Sequence, residues 1–239
     1  MKKLVIITGA SSGIGKCLAT QFSKKGHPIL LLSRSLDKME DLNLPNSLCK
    51  SVDVTDLEKM REAIKEAEEK YGKVDLLINC AGLMLLGHPE SQAFEEWSNM
   101  IDVNIKGILT GIHIVLADMK SRNEGTIINI SSIAGRKTFD NHSIYCGTKF
   151  AVHAITENIR KEVADSNVRV IVIAPGVVDT PLLSHTTNEE IKDNYNEWKK
   201  TIESGLDPLQ ISNCIEFAYS QPQDVCIREI VIAKTKQLD

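Results

Sequence analysis

The chain has 239 residues, of which 42% are hydrophobic, 25% charged and 5% aromatic, and 28 basic against 32 acidic side chains give a net charge of -4. That apolar content excludes a disordered chain, the length removes any need for disulfide staples, and the mild acidity speaks against a nucleic-acid-binding surface. No apolar stretch reaches the roughly 18 residues of a membrane helix, so no membrane contact is expected, and six scattered cysteines without a C-x-x-C pair read as free thiols of a cytoplasmic protein, with no metal site and no disulfide framework.

The first strand candidate is Lys3–Thr8, whose apolar part, Leu4–Ile7, is shorter than the roughly 7–15 residues of a secretory leader core. Pro28–Ser33, Leu48–Asp53, Val74–Asn79, Gly125–Ser131, Val168–Ala174 and Glu229–Ala233 follow as further strands. Most are continuous apolar runs rather than alternating ones, the pattern of parallel strands covered on both faces. Helix patterns lie between them. Ile14–Lys25 sets Ile14, Leu18 and Phe22 on one face, Asp56–Tyr71 begins on a capping aspartate, Ile105–Lys120 is apolar nearly all round, and Tyr145–Val163 is amphipathic. Strands alternating with helices make right-handed βαβ units. The expected fold is α/β: a single-domain, Rossmann-like, doubly wound parallel sheet of about seven strands over 1–239, with helices on both faces. The polar segment Thr180–Gly205, which holds Tyr195 and Trp198, breaks the rhythm. It reads either as a substrate lid just past a strand end or as a surface helix pair.

Thr8-Gly9-Ala10-Ser11-Ser12-Gly13-Ile14-Gly15 joins the first strand to the first helix. Glycines let the main chain turn tightly and approach a phosphate, and a helix N-terminus offers free N–H groups and a positive dipole end. A tight βα turn is the plain alternative, but the strand–turn–helix placement at the head of a βαβ series favours a dinucleotide site. The second strand ends at Leu32-Ser33-Arg34 with no carboxylate to take a ribose 2′-hydroxyl. Arg34 can instead meet a 2′-phosphate, which favours NADP(H) over NAD(H); a solvent-facing loop arginine is the alternative.

Tyr145-Cys146-Gly147-Thr148-Lys149 sets a tyrosine and a lysine one helical turn apart. A tyrosine of ordinary pKa, about 10, is a poor base at neutral pH, and a neighbouring ammonium favours its phenolate. Such a pair is common on ordinary helices. This one is accompanied by a strand ending in Ser131-Ser132, by Asp102-Val103-Asn104, and by Asn79-Cys80-Ala81-Gly82 at the end of the fourth strand. All fall on the sheet edge where open α/β folds bind ligands.

With T-G-x-x-x-G-x-G at Thr8–Gly15, N-x-A-G at Asn79–Gly82, Asn104, the Ser131-Ser132 pair, Y-x-x-x-K at Tyr145–Lys149, and Pro175-Gly176 followed by Thr180, the chain resembles the short-chain dehydrogenase/reductase family over essentially its whole length. The resemblance implies an oxidoreductase that moves a hydride between NADP(H) and a secondary alcohol or ketone. It selects Ser132 over Ser131 by the family's distance to its tyrosine. It implies catalytic roles for Asn104, Ser132, Tyr145 and Lys149: Tyr145 as general acid/base, Lys149 lowering its pKa and holding the nicotinamide ribose, Ser132 polarising the substrate oxygen, and Asn104 positioning a water that connects Lys149 to solvent. It places Gly9, Ser11, Ser12, Gly13, Ile14, Gly15 and Arg34 on the dinucleotide. Asp53 and Val54 would face the adenine, Asn79, Ala81 and Gly82 the ribose, and Pro175, Gly176, Val178 and Thr180 the carboxamide. Cys80 and Thr148 depart from the family's usual residues.

A narrower similarity, over Ser131–Ile155 and the tail Arg228–Gln237, is to the branch that oxidises 3-hydroxy acids such as serine and allo-threonine. It makes Arg136, four residues after Ser132, a candidate substrate-carboxylate anchor, an exposed loop charge being the alternative. Leu83–Pro89, Ala134–His142 and the segment after Thr180 would wall the substrate. A non-catalytic NADP(H)-sensing regulator on the same fold is the competing function; its mark would be a lost tyrosine or lysine, and both are present. Apolar surface on Ile105–Lys120 and Tyr145–Val163 suggests a homotetramer or homodimer.

Overall fold

The computed structural model describes residues 2–238; Met1 and Asp239, the ends of the 1–239 unit, lie outside the described residues. Seven strands form one sheet: β1 (Leu4–Thr8), β2 (Ile29–Ser33), β3 (Ser47–Ser51), β4 (Val74–Asn79), β5 (Gly125–Ile130), β6 (Val168–Pro175) and β7 (Glu229–Ile232). Their order across the sheet is β3-β2-β1-β4-β5-β6-β7, and every neighbouring pair is parallel. The chain therefore winds outward from β1 to one side and then from β4 to the other. The crevice at the carboxyl ends of β1 and β4 is the point where winding reverses.

Strand geometry divides the core in two. Successive side chains point to opposite faces, so Leu4 and Ile6 meet helices on one side while Val5 and Ile7 meet helices on the other. The first face is covered by α3 (Leu57–Tyr71), α5 (Gly107–Arg122) and α6 (Ser143–Glu162), through residues such as Ile64, Ile112 and Val152. The second is covered by α1 (Gly13–Lys24) with Leu18 and Phe22 and by α8 (Pro208–Ser220) with Ile211 and Ile215, while the short α2 (Leu36–Glu40) adds Met39. Each such side chain, fully buried, contributes about 1.5–3 kcal/mol of transfer free energy.

Three helices go beyond the sequence expectation: α2, α4 (Phe94–Ile101) and α8. The cause of α8 is local: the Asp207 side chain accepts from Leu209 N, Gln210 reaches back to the Asp207 N–H, and Pro208 stands in the first turn. The helix expected over Ile105–Lys120 is part of a longer run. α4 passes through a π turn, Asp102–Lys106, directly into α5, so the helical run is Phe94–Arg122. By length and composition that run could cross a membrane, which the sequence reading did not anticipate. Its apolar content has another account: Met100, Ile108, Ile112, Val115 and Met119 are buried inside the fold, and Asp102 and Lys106 interrupt it. The Thr180–Gly205 segment folds as a 3-10 turn, Pro181–His185, and α7 (Glu189–Thr201), whose first turn is capped by Asn188 accepting from Ile191 N at 3.1 Å.

Candidate active site

The reversal crevice is assembled mostly from main chain. Thr8, the last residue of β1, accepts hydrogen bonds from Cys80 N and Ala81 N, both at 3.0 Å, and so ties the end of β1 to the end of β4. Gly9 then turns with φ +67, and a Cβ there would stand 2.9 Å from Ala81 Cα. Both the left-handed backbone and the close approach exclude a side chain. Gly13 has φ +49, and a Cβ would meet Thr180 Cγ2 at 2.9 Å. The glycine turn and the residues after β6 thus close on each other. At the head of α1, Ser12 makes no side-chain cap and the first turn holds no acidic residue. The earliest helical bond runs from Lys16 N to Ser12 O. The N–H groups before it have no partner within the helix and, with the dipole behind them, suit an anion.

A cavity of about 900 Å³ runs along this edge. Gly9, Ser11, Ser12, Gly13, Ile14, Gly15, Arg34, Asp53, Val54, Ala81, Gly82, Ser132, Tyr145, Lys149, Pro175, Gly176, Val178 and Thr180 all line it. Arg34 is exposed and has no ion-pair partner among the described residues. Lys38, four residues on and in α2, lines the same cavity. Asp53 spends one carboxylate oxygen on Thr55 N (2.9 Å) and Thr55 Oγ1 (2.7 Å), and the Thr55 main-chain bond is the largest cause holding its carboxyl below the usual range.

The catalytic candidates meet at the other end. Ser132 caps the 3-10 turn Ile133–Gly135, accepting from Ala134 N at 3.1 Å. Its hydroxyl is also in hydrogen-bonding reach of Tyr145. Burial raises the Tyr145 phenol well above its ordinary value, and the bond to Ser132 offsets part of that rise. Lys149 Nζ sits 5.6 Å from the Tyr145 ring centroid and donates to Ile130 O at 3.0 Å. Burial lowers Lys149 to about 8. The sequence reading expects the lysine to draw the phenol toward phenolate. In the chain by itself desolvation wins, and Tyr145 stands as a protonated acid. Thr148, a departure from the family's usual residue, has a structural use: it donates to Tyr145 O at 2.7 Å and accepts from Asn104 Nδ2 at 3.1 Å.

A doubly wound sheet with a glycine turn and this cluster on one edge defines an α/β enzyme of the dinucleotide-binding class. The short chain dehydrogenase family model matches residues 3–191. An uncharacterized oxidoreductase of Staphylococcus saprophyticus is 38% identical over 98% of this chain and 97% of its own length. Another, from Listeria monocytogenes, is 35% identical over the same shares. The closed form of serine dehydrogenase complexed with NADP+ is similar with a TM-score of 0.90 at 29% identity, over 98% of this chain and 96% of that one. An alcohol dehydrogenase of the archaeon Thermococcus sibiricus complexed with 5-hydroxy-NADP gives 0.85 at 26% identity, over 99% and 98%. The chain belongs to the short chain dehydrogenase family and is an oxidoreductase of CH–OH groups.

Three sequence candidates are not brought to the cavity wall. Asn79 is buried, donates to Asn129 Oδ1 at 2.8 Å, and turns its own carbonyl oxygen toward Gly111 of α5. Asn104 has no exposed surface: its side chain bonds Leu83 N (2.7 Å), Leu83 O (2.8 Å) and Thr148, bracing the π turn behind Gly82. Arg136 is exposed and held by both carboxylate oxygens of Glu229 at the start of β7. Its distance from Ser132 along the chain is short, but the Glu229 charge turns it away from the cavity, so the carboxylate-anchor expectation is corrected.

Several residues were missed. Lys38 had no helical signal, since Arg34 lies before α2. Gln237 had none: it comes from the tail to accept from Val177 N at 3.1 Å and fill the space beside Gly176. Thr186, likewise unsignalled, pins the wall by donating to Met84 O (3.1 Å) and accepting from Leu86 N (3.2 Å).

Proposed function

We propose that the protein is an NADP(H)-dependent oxidoreductase that interconverts a secondary alcohol and its ketone. The observation that carries this reading is the convergence of Ser132, Tyr145 and Lys149 on the same cavity as the uncapped head of α1. Gly9–Gly15 would hold the pyrophosphate, Asp53 and Val54 the adenine, and Pro175–Thr180 the nicotinamide carboxamide. The cofactor, when bound, supplies or accepts a hydride at the substrate's carbinol carbon. NADP(H) is favoured because Arg34 and Lys38, neither ion-paired among the described residues, stand where a 2′-phosphate would lie, with no carboxylate on the end of β2.

The residues divide the remaining work. In reduction, Ser132 Oγ donates to the carbonyl oxygen and Tyr145 Oη delivers a proton to it as hydride reaches the carbon. In oxidation the Tyr145 phenolate would take the alcohol's hydroxyl proton while Ser132 holds the same oxygen, so that the ketone forms as the hydride leaves the carbinol carbon. The positive charge of Lys149, with that of the oxidised nicotinamide, would stabilise this phenolate. Asn104 acts as a positioning residue, fixing Thr148 and the main chain around Lys149; the water relay from Lys149 to solvent remains part of the proposal. Residues 180–205 would serve as the lid of a single domain. Phe94, Ile101, Leu109 and Phe150, exposed on α4 to α6, support a homotetramer or homodimer, which sedimentation at micromolar concentration would decide.

The non-catalytic sensor is the weaker reading, because every group the chemistry needs is present. Steady-state turnover with NADPH and a panel of ketones tests the choice. Catalysis that Tyr145→Phe abolishes while NADPH still binds supports the enzyme. Binding with no turnover, unaltered in the variant, would establish the sensor.

A further inference from the structure

Charge and shape at the catalytic end of the cavity point to a class of substrate. Tyr145 stands at the head of a series of rings: His142 lies 6.2 Å from Tyr145, Tyr195 6.1 Å from His142, and Trp198 5.4 Å from Tyr195, centroid to centroid. Tyr195 and Trp198 come from α7, so the segment after Thr180 furnishes this wall. Met84, Leu182 and Ile191 complete an apolar cluster with Tyr145. The Tyr195 hydroxyl has no hydrogen-bond partner among the described residues, and burial pushes it up to about 12, so it stays a neutral donor.

The cations of the cavity are all committed elsewhere. Arg34 and Lys38 stand at the dinucleotide end, Lys149 bonds Ile130 O, and Lys199 pairs with Asp179 at 2.5 Å. Burial lowers the His142 imidazole, which donates from Nδ1 to Asp140 O at 2.6 Å and is neutral at pH 7. His185 sits on the exposed rim, and the one carboxylate at this end, Asp140, would repel an anion. Arg136 is neutralised by Glu229 outside the wall. A substrate carboxylate packed against this wall would thus lose its water and meet only neutral hydroxyl donors, with no free cation on the wall to pair with.

We propose that the substrate is an uncharged secondary alcohol or ketone carrying an apolar or aromatic group, packed against Met84, Leu182, Ile191, Tyr195 and Trp198, with the Tyr195 hydroxyl binding one neutral polar group of the substrate. This rests on the oxidoreductase reading above.

The test is oxidation by the full chain with NADP+ of two neutral alcohols, methyl 3-hydroxybutanoate and 1-phenylethanol, and two carboxylated ones, 3-hydroxybutanoate and serine. The neutral pair is expected to exceed the carboxylated pair in kcat/KM by at least tenfold. Tyr195→Ala, checked for folding by circular dichroism, should raise KM for 1-phenylethanol at least fivefold more than it lowers kcat. A preference below tenfold, or one for the acids, overturns the substrate class and leaves the oxidoreductase reading standing. Turnover of none of the four alcohols overturns both. A Tyr195→Ala variant that changes kcat alone would remove Tyr195 from the wall and overturn the assignment of the aromatic series.

Discussion

The two ends of the cavity are made of different material. The end proposed for the dinucleotide is mostly main chain, the Gly9 turn and the open N–H groups of α1, with the Thr8 hydroxyl tying β1 to β4 beneath it. The substrate end is side chain, drawn from the Ser132 turn, α6 and α7. A site built from main chain tolerates few changes at its glycines. One built from side chains can be re-cut for another substrate without disturbing the sheet. The contrast explains how one family keeps a cofactor site while its substrates vary.

The largest expected effect breaks the main-chain end. Gly9→Val forces a branched side chain into φ +67 and onto Ala81. It should weaken NADPH binding by about 100-fold or more and cost about 1–3 kcal/mol of stability, read by fluorescence titration and thermal melts. A variant that binds NADPH normally would show that the turn does not touch the cofactor.

The cation pair sharpens the same end. Arg34→Gln with Lys38→Gln should weaken NADPH by about 10–100-fold and leave NADH unchanged, since the two solvent-exposed contacts together are worth about 1.5–3 kcal/mol. Equal loss for both nucleotides would point to a general electrostatic effect.

Lys149 connects the two ends and has a pH signature. Its folded value, about 8, lies below the ordinary lysine value of 10.5. Between those values the unfolded chain binds more protons, so stability rises with pH across that window, and the burial penalty is fully present below about 8. Lys149→Met should therefore melt no lower than the parent at pH 7, with a gain on the order of 1–3 kcal/mol that shrinks toward pH 10, although turnover falls. A variant markedly less stable at pH 7 would mean that Lys149 holds the fold together.

The smallest effect belongs to Arg136. Because it pairs with Glu229 away from the cavity, Arg136→Met should change the ratio of kcat/KM between 3-hydroxybutanoate and its methyl ester by less than about threefold, within the reach of an exposed ion pair. A selective loss on the acid would restore the anchor.

What was legible in the sequence follows the same division. The strands, their parallel order and the Gly9–Gly15 turn rest on local patterns, namely apolar runs and glycine spacing, and the structure has them. Asn79 and Asn104 mark the limit of motif reading: they sit in their motifs, and the motifs do not tell that their side chains bond into the packing behind the wall. Arg136 shows a different limit: its partner Glu229 lies 93 residues further along the chain, and nothing local announces it. The aromatic series is legible only once α7 is folded beside the head of α6, which brings Tyr195 to the cap residue His142. α8 alone had an unread local signal, Asp207-Pro208 with Gln210.

The central claim is that Tyr145 exchanges a proton with substrate in an NADP(H)-linked oxidoreductase. The direct measurement is single-turnover oxidation of bound NADPH by a saturating ketone, in the parent and in Tyr145→Phe, with NADPH affinity measured for both. The account predicts a rate lower by about 10²–10⁴-fold in the variant at unchanged NADPH affinity, the range that loss of a general acid produces. A Tyr145→Phe protein that oxidises NADPH at the parent rate would contradict it.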